Sequence, residues 1–168
     1  MQSKYNPEAA RAFAQRWAGR GDEKSDTQTF WLEMLGQVLG APNPFELIRF
    51  ERSVKLGHKS FMDAFISSTH VLIEQKSLGV DLDTPQRQSD GTLLTPFRQA
   101  ARYNSMLPYS ERARWIVISD FARIRVYDME TPEAPPRVVT LANLAEELDR
   151  LDFLVNPKVE SIRRQEEA

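Results

Sequence analysis

Apolar residues recur along this chain at two different periods, and the change of period divides it into helices and strands. Near the start, Asn6 and Pro7 combine an N-cap with proline at the first helical position, and Phe13 and Trp17 follow on one face until Gly19 and Gly21. A second helix is predicted with Ser25 or Asp26 as cap, because Phe30, Trp31, Met34, Leu35, Val38 and Leu39 keep helical spacing up to Gly40 and Pro42. The pattern then shortens to strand spacing. Leu47 to Val54, Phe61 to Ile66 and Val71 to Leu78 read as three strands separated by short polar breaks, which predicts an antiparallel meander. Gly79 to Leu94 is rich in Gly, Asp, Pro and Ser and reads as a long loop. Thr95 and Pro96 repeat the cap-plus-proline signal and open a helix that ends near Pro108. Two strands follow, RWIVIS and RIRVYD, joined by a turn around Asp120; after the loop ETPEAPPR, the spacing of Leu141, Leu144, Leu148 and Leu151 predicts a last helix. This order implies an α/β fold, a mixed sheet with helices packed against it.

Three charged residues interrupt the second and third strands. If Ile66 and Val71 face each other across the break Ser67 to His70, antiparallel counting sets Asp63 opposite Glu74 and Lys76 opposite Phe61. Residues two apart on a strand share a face, so Asp63, Glu74 and Lys76 converge. Opposed residues have Cβ atoms about 4.5 to 5.5 Å apart, and like charges there destabilise the pair. Two such carboxylates share a proton, recruit a cation or face water. A hard divalent ion such as magnesium takes oxygen ligands and commonly uses one or two carboxylates. Beside it, a lysine could orient water and stabilise charge growing on a phosphorus centre. The alternative is plain: Glu-x-Lys also occurs as a surface ion pair on an edge strand, worth little.

Composition narrows the classes. With 168 residues, 41% of them hydrophobic, the chain has room for one domain with a sizeable core. It has no cysteine and only His58 and His70, which excludes a disulfide framework, a thiolate site or a histidine-rich zinc site. The N-terminal residues lack a signal-peptide core and no apolar run reaches a bilayer-spanning length, so a cytoplasmic protein without a membrane partner is the expectation. A formal net charge of -2 does not advertise nucleic acid, yet between Arg98 and Arg125 there are six arginines against Glu111 and Asp120, a local excess of four positive charges. Such clustering suits a polyanionic backbone, as would Lys55, His58 and Lys59 just before Asp63. No Gly-rich phosphate loop is present, which argues against an ATPase.

The helix after the long loop carries a second constellation. Gln99 and Tyr103, at i and i+4, share a face close to Arg98 and Arg102. An amide and a phenol so placed can bond phosphate or hold a lysine in position, or they can belong to an ordinary amphipathic helix.

Taken together, Asp63, then Glu74-Gln75-Lys76 after ten intervening residues, then Gln99 to Tyr103 on a helix resemble the D…E-x-K nuclease core with the Q-x-x-x-Y helix of its RecB-like branch. More specifically, FWLEMLGQVLG, VLIEQKSLGVDLD, QSDGTLLTPFRQAARYN, LPYSERARWIVISDF and YDME are similar to the N-terminal nuclease domain of type IIL restriction enzymes, which fuse endonuclease and adenine methyltransferase in one chain. The resemblance runs from about Phe30 to Asn156. It implies a restriction-endonuclease-like fold and a magnesium-dependent double-strand DNA endonuclease, with manganese as a substitute ion. On the matching positions it implies Asp63, Glu74 and the main-chain carbonyl of Gln75 as metal ligands, Lys76 as the group that positions the base, and Gln99 and Tyr103 as the supporting helix pair. Lys55, Lys59, Arg98 and Arg102 would face DNA, and Glu33 is the candidate for an additional acid from the first core helix. The expected organisation is an N-terminal helix and connector over 1–25, a nuclease domain over 26–156, and a polar tail or linker start over 157–168. The family would continue into a helical spacer, a methyltransferase and a target-recognition domain as covalent neighbours; no methyltransferase motif is present, so S-adenosylmethionine is not expected in this chain. A non-catalytic nucleic-acid-binding or docking module on the same fold is the alternative.

Overall fold

A computed structural model describes residues 4–55 and 59–157. Helix α1 (Pro7–Trp17) starts as its sequence predicts, with Asn6 Oδ1 accepting the Glu8 N–H and Pro7 in the first turn; it buries Ala10, Phe13 and Trp17. Helix α2 (Glu23–Glu33) begins earlier than predicted. Its cap is Asp22, whose carboxylate accepts the Ser25 N–H, so neither Ser25 nor Asp26 caps it. Its apolar continuation, Met34–Val38, is a π-helical turn. A short helix, α3 (Pro44–Leu47), replaces the start of the first predicted strand.

The sheet contains β1 (Arg49–Lys55), β2 (Lys59–Ile66), β3 (Val71–Gln75), β6 (Trp115–Ser119), β7 (Arg123–Asp128) and β8 (Arg137–Thr140), paired in that spatial order. The first three form the antiparallel meander; β3 and β6 are parallel, and the remaining pairs are antiparallel, so the sheet is mixed. A parallel pair needs a crossover. Here it is the long loop, which contains a small hairpin of β4 (Gln86–Arg87) and β5 (Leu93–Leu94), followed by helix α4 (Pro96–Ser105) with Thr95 as its cap.

Strand β8 was not anticipated. It follows two prolines and buries only Val139 fully, the weak pattern of a short edge strand. The last predicted helix is instead two 3-10 segments, Leu144–Glu146 and Leu148–Leu154, broken at Glu147. Leu148 and Leu151, three apart in the second segment, line up in 3-10 geometry, and Leu144 of the first segment is buried as well, without an α-helix.

Two cores lie on opposite faces of the sheet. On one, α1, α2 and the 3-10 segments cover Ala64, Ile66, Val71, Ile73, Val117 and Val139. On the other, α4 covers Phe65, Leu72, Ile116 and Ile118. The α1–α2 connector is docked to the end of β3: Gly21 accepts the Leu78 N–H at 2.9 Å, and a Cβ at Gly21 would lie 2.2 Å from the Phe121 ring. Only glycine fits that approach.

Candidate active site

Strands β2 and β3 pair Ile66 with Val71, Phe65 with Leu72 and Ala64 with Ile73, the register expected from the sequence. One step further, Asp63 adjoins Glu74 on the face covered by α4. The backbone ladder ends there because the Gln75 N–H turns to the Asp63 carboxylate, donating to Oδ2 at 2.7 Å. Lys76 follows β3 directly. Its Nζ lies 3.3 Å from Glu74 Oε1 and donates to Gln99 Oε1, also at 3.3 Å. The Gln99 Nε2 donates in turn to the Tyr103 hydroxyl at 3.0 Å. Helix periodicity sets Gln99 one turn from Tyr103, the parallel β3–β6 pairing sets α4 over β3, and the five side chains become one connected array.

Burial controls its electrostatics. Glu74 is 2% exposed, and its Oε2 has no hydrogen-bond donor among the described groups. Desolvation, reinforced by the Asp63 charge, holds the Glu74 carboxyl protonated well above the ordinary carboxylate range, although Lys76 opposes this. Asp63 is also raised by burial, against the Gln75 N–H and Lys76. Two acids so placed hold a shared proton or a cation. The Gln75 N–H is thus turned to Asp63 on β2, while the next N–H, that of Lys76, donates to Ser119 of β6 at 2.8 Å. Two carboxylates, one of them, Glu74, with its Oε2 unpartnered, make an all-oxygen donor set, which fits a hard divalent ion. No three His, Cys, Asp or Glu side chains among the described residues close on a common metal position, so the carboxylate donors are a pair and not a triad.

Several predicted residues lie elsewhere. Glu33 is not part of this array: it pairs with Arg16 of α1 at 2.7 Å. The acid whose charge reaches Asp63 from α2 is Glu23, whose N–H donates to Ser77 Oγ at 2.8 Å. Recognising Asp22 as the cap places Glu23 in the first turn of α2, but its approach to Asp63 comes from tertiary contacts. Arg102 is turned to the hairpin, pairing with Asp90 at 2.8 Å, while Arg98 is exposed on α4. The arginine excess is also local to the sequence alone, because the fold supplies partners from outside that window: Asp128 and Glu130 for Arg114, and Asp83 for Arg125. Arg123 pairs with Asp120. Lys55 and Lys59 are strand residues whose side chains, with all of His58, lie outside the described set, as do residues 158–168.

Residues 8–168 match the family described as "MmeI, N-terminal domain". No curated protein and no solved structure matches the chain.

Proposed function

The chain belongs to the family of the MmeI N-terminal domain, from type IIL restriction-modification enzymes, and on that premise we propose that it is a DNA-cleaving module that hydrolyses phosphodiesters with magnesium. The observation that carries this reading is the pairing of half-buried Asp63 with buried Glu74, with Lys76 wired between the pair and the Gln99–Tyr103 helix.

In this reading Asp63, Glu74 and the Gln75 carbonyl would hold the ion, which would supply charge neutralisation at a phosphodiester and lower the pKa of water. To serve as a ligand Glu74 would release its proton to solvent. Glu74 Oε1 and Gln99 Oε1 fix the Lys76 Nζ beside the acids from two sides. From there Nζ can orient the attacking water and donate to the phosphoryl oxygens as negative charge grows on them. Tyr103 holds the Gln99 amide so that its oxygen, not its nitrogen, faces Lys76. Glu23 adds negative charge at the rim near Asp63. Double-stranded DNA is the proposed substrate, and cleavage at defined sites would draw on the other domains of a full-length relative. A purely DNA-binding role leaves the Asp63–Glu74 pair without a purpose, since carboxyl groups add nothing to the binding of a polyanion.

The test is metal-dependent stabilisation. Magnesium, manganese or calcium should raise the melting temperature of the chain, with Asp63→Asn and Glu74→Gln each abolishing the increment. Equal stabilisation of all three proteins would remove the site.

A further inference from the structure

The middle residue of Glu74-Gln75-Lys76 points its side chain away from the acids, into the opposite core, where it is fully buried. Its neighbours on that face of β3 are Val71 and Ile73, so an aliphatic residue would suit the packing. A buried amide is tolerated only when its groups are bonded. Here they are. Gln75 Oε1 accepts the Trp31 indole N–H at 2.8 Å, and Nε2 donates to the main-chain oxygens of Lys76 at 2.9 Å and Ser119 at 3.1 Å. Because an indole nitrogen only donates, Trp31 decides which end of the amide faces which partner. The Ser119 oxygen also accepts the Lys76 N–H at 2.8 Å, so one carbonyl of β6 receives both residues.

The geometry matters because β3 stops at Gln75 and Lys76 lies beyond the strand. A backbone leaving a sheet has few bonds to fix its direction. The Gln75 amide holds the Lys76 carbonyl, while the Gln75 N–H holds Asp63 from the other side. We propose that Trp31 and Gln75 are positioning residues of the candidate site: through the buried indole–amide contact, α2 locks the Lys76–Ser77 peptide and ties the end of β3 to the Ser119 carbonyl, and with it fixes the approach of Asp63 and the reach of Lys76. The inference rests on the metal-binding reading of Asp63 and Glu74.

The probe is manganese alone, titrated into the whole 168-residue chain, with melting temperature measured separately on metal-free protein. Trp31→Phe keeps an aromatic ring against Phe30, now 5.2 Å away between centroids, and deletes only the donor. Gln75→Met keeps the length and deletes the amide. Each is expected to weaken manganese binding about tenfold or more, the usual size of an outer-shell loss, in protein that still melts cooperatively. In wild type the Trp31 indole proton should exchange slowly with solvent, and Gln75→Met should speed that exchange. If wild type and both variants bind manganese equally while Asp63→Asn does not, the positioning role is wrong and the site stands. If wild type binds none, the metal site and the positioning role both fall. Should Trp31→Phe fail to fold, Gln75→Met decides alone.

Discussion

At the scale of single residues, Glu74 and Lys76 make opposite predictions. The Glu74 carboxyl is held protonated by burial and by Asp63, so in the window above the ordinary carboxylate range the folded chain binds a proton that the unfolded chain has released. Stability of the metal-free chain should therefore fall as pH rises through that window. Glu74→Gln should flatten the dependence and raise neutral-pH stability by about 2 kcal/mol, the order of the cost of a buried polar group that lacks a partner, or roughly 4–8 °C in melting temperature. Thermal melts of both proteins across pH decide it; parallel curves would mean that Glu74 ionises freely. Lys76 acts on rate. Lys76→Ala should leave manganese binding by Asp63 and Glu74 largely intact yet lower single-turnover cleavage about a hundredfold or more, measured with this segment joined to the rest of a family enzyme. A wild-type rate in that assay would take Lys76 out of the mechanism. The Asp63–Glu74 pairing was readable from strand parity and a four-residue break, since both are counting rules. Glu23 was not, because its approach to Asp63 depends on where α2 starts and on the bonds that join Gly21 to Leu78 and Glu23 to Ser77.

At the scale of elements, α4 reaches the site by its cap. Thr95 Oγ1 accepts the Arg98 N–H at 3.2 Å and fixes the first turn, one turn before Gln99 closes on Lys76. Thr95→Ala should destabilise the chain by about 1 kcal/mol, seen as a fall of roughly 2–4 °C in melting temperature. Faster amide exchange should be confined to α4 and the adjoining hairpin, and exchange spread evenly over the sheet would contradict the local role given to this cap. The hairpin itself was hidden in the sequence, because its strands are two residues each and the flanking Gly, Asp and Pro speak for a loop. By contrast α1, α4 and the meander carry strong periodicity and cap signals. The 3-10 segments show the limit of periodicity: leucines at spacings of three and four suit either helix type, and packing chose the tighter one.

At the scale of the whole molecule, charge distribution sets the expectation for DNA. Arg102, Arg114, Arg123 and Arg125 are all paired with carboxylates, which leaves less positive surface than the linear count suggests. The isolated chain should bind duplex DNA weakly and without sequence preference, with affinity that falls as salt rises. Binding measured over a salt series on several unrelated duplexes tests this, and tight, site-specific binding would locate a sequence reader within these residues. No described helix is long and apolar enough to cross a membrane. What the sequence by itself determined was whatever local rules govern: strand parity put Asp63, Glu74 and Lys76 on one face, the i, i+4 spacing put Gln99 beside Tyr103, and caps placed α1 and α4. The tertiary structure alone decided contacts between distant segments. It laid α4 across β3 so that Gln99 meets Lys76, sent Glu33 to Arg16, brought Glu23 toward Asp63, set Trp31 against Gln75, and paired arginines with acids outside their own stretch. The physical reason is that periodicity specifies a face, whereas a partner on another element is specified only when burial and unsatisfied polar groups choose among the faces available.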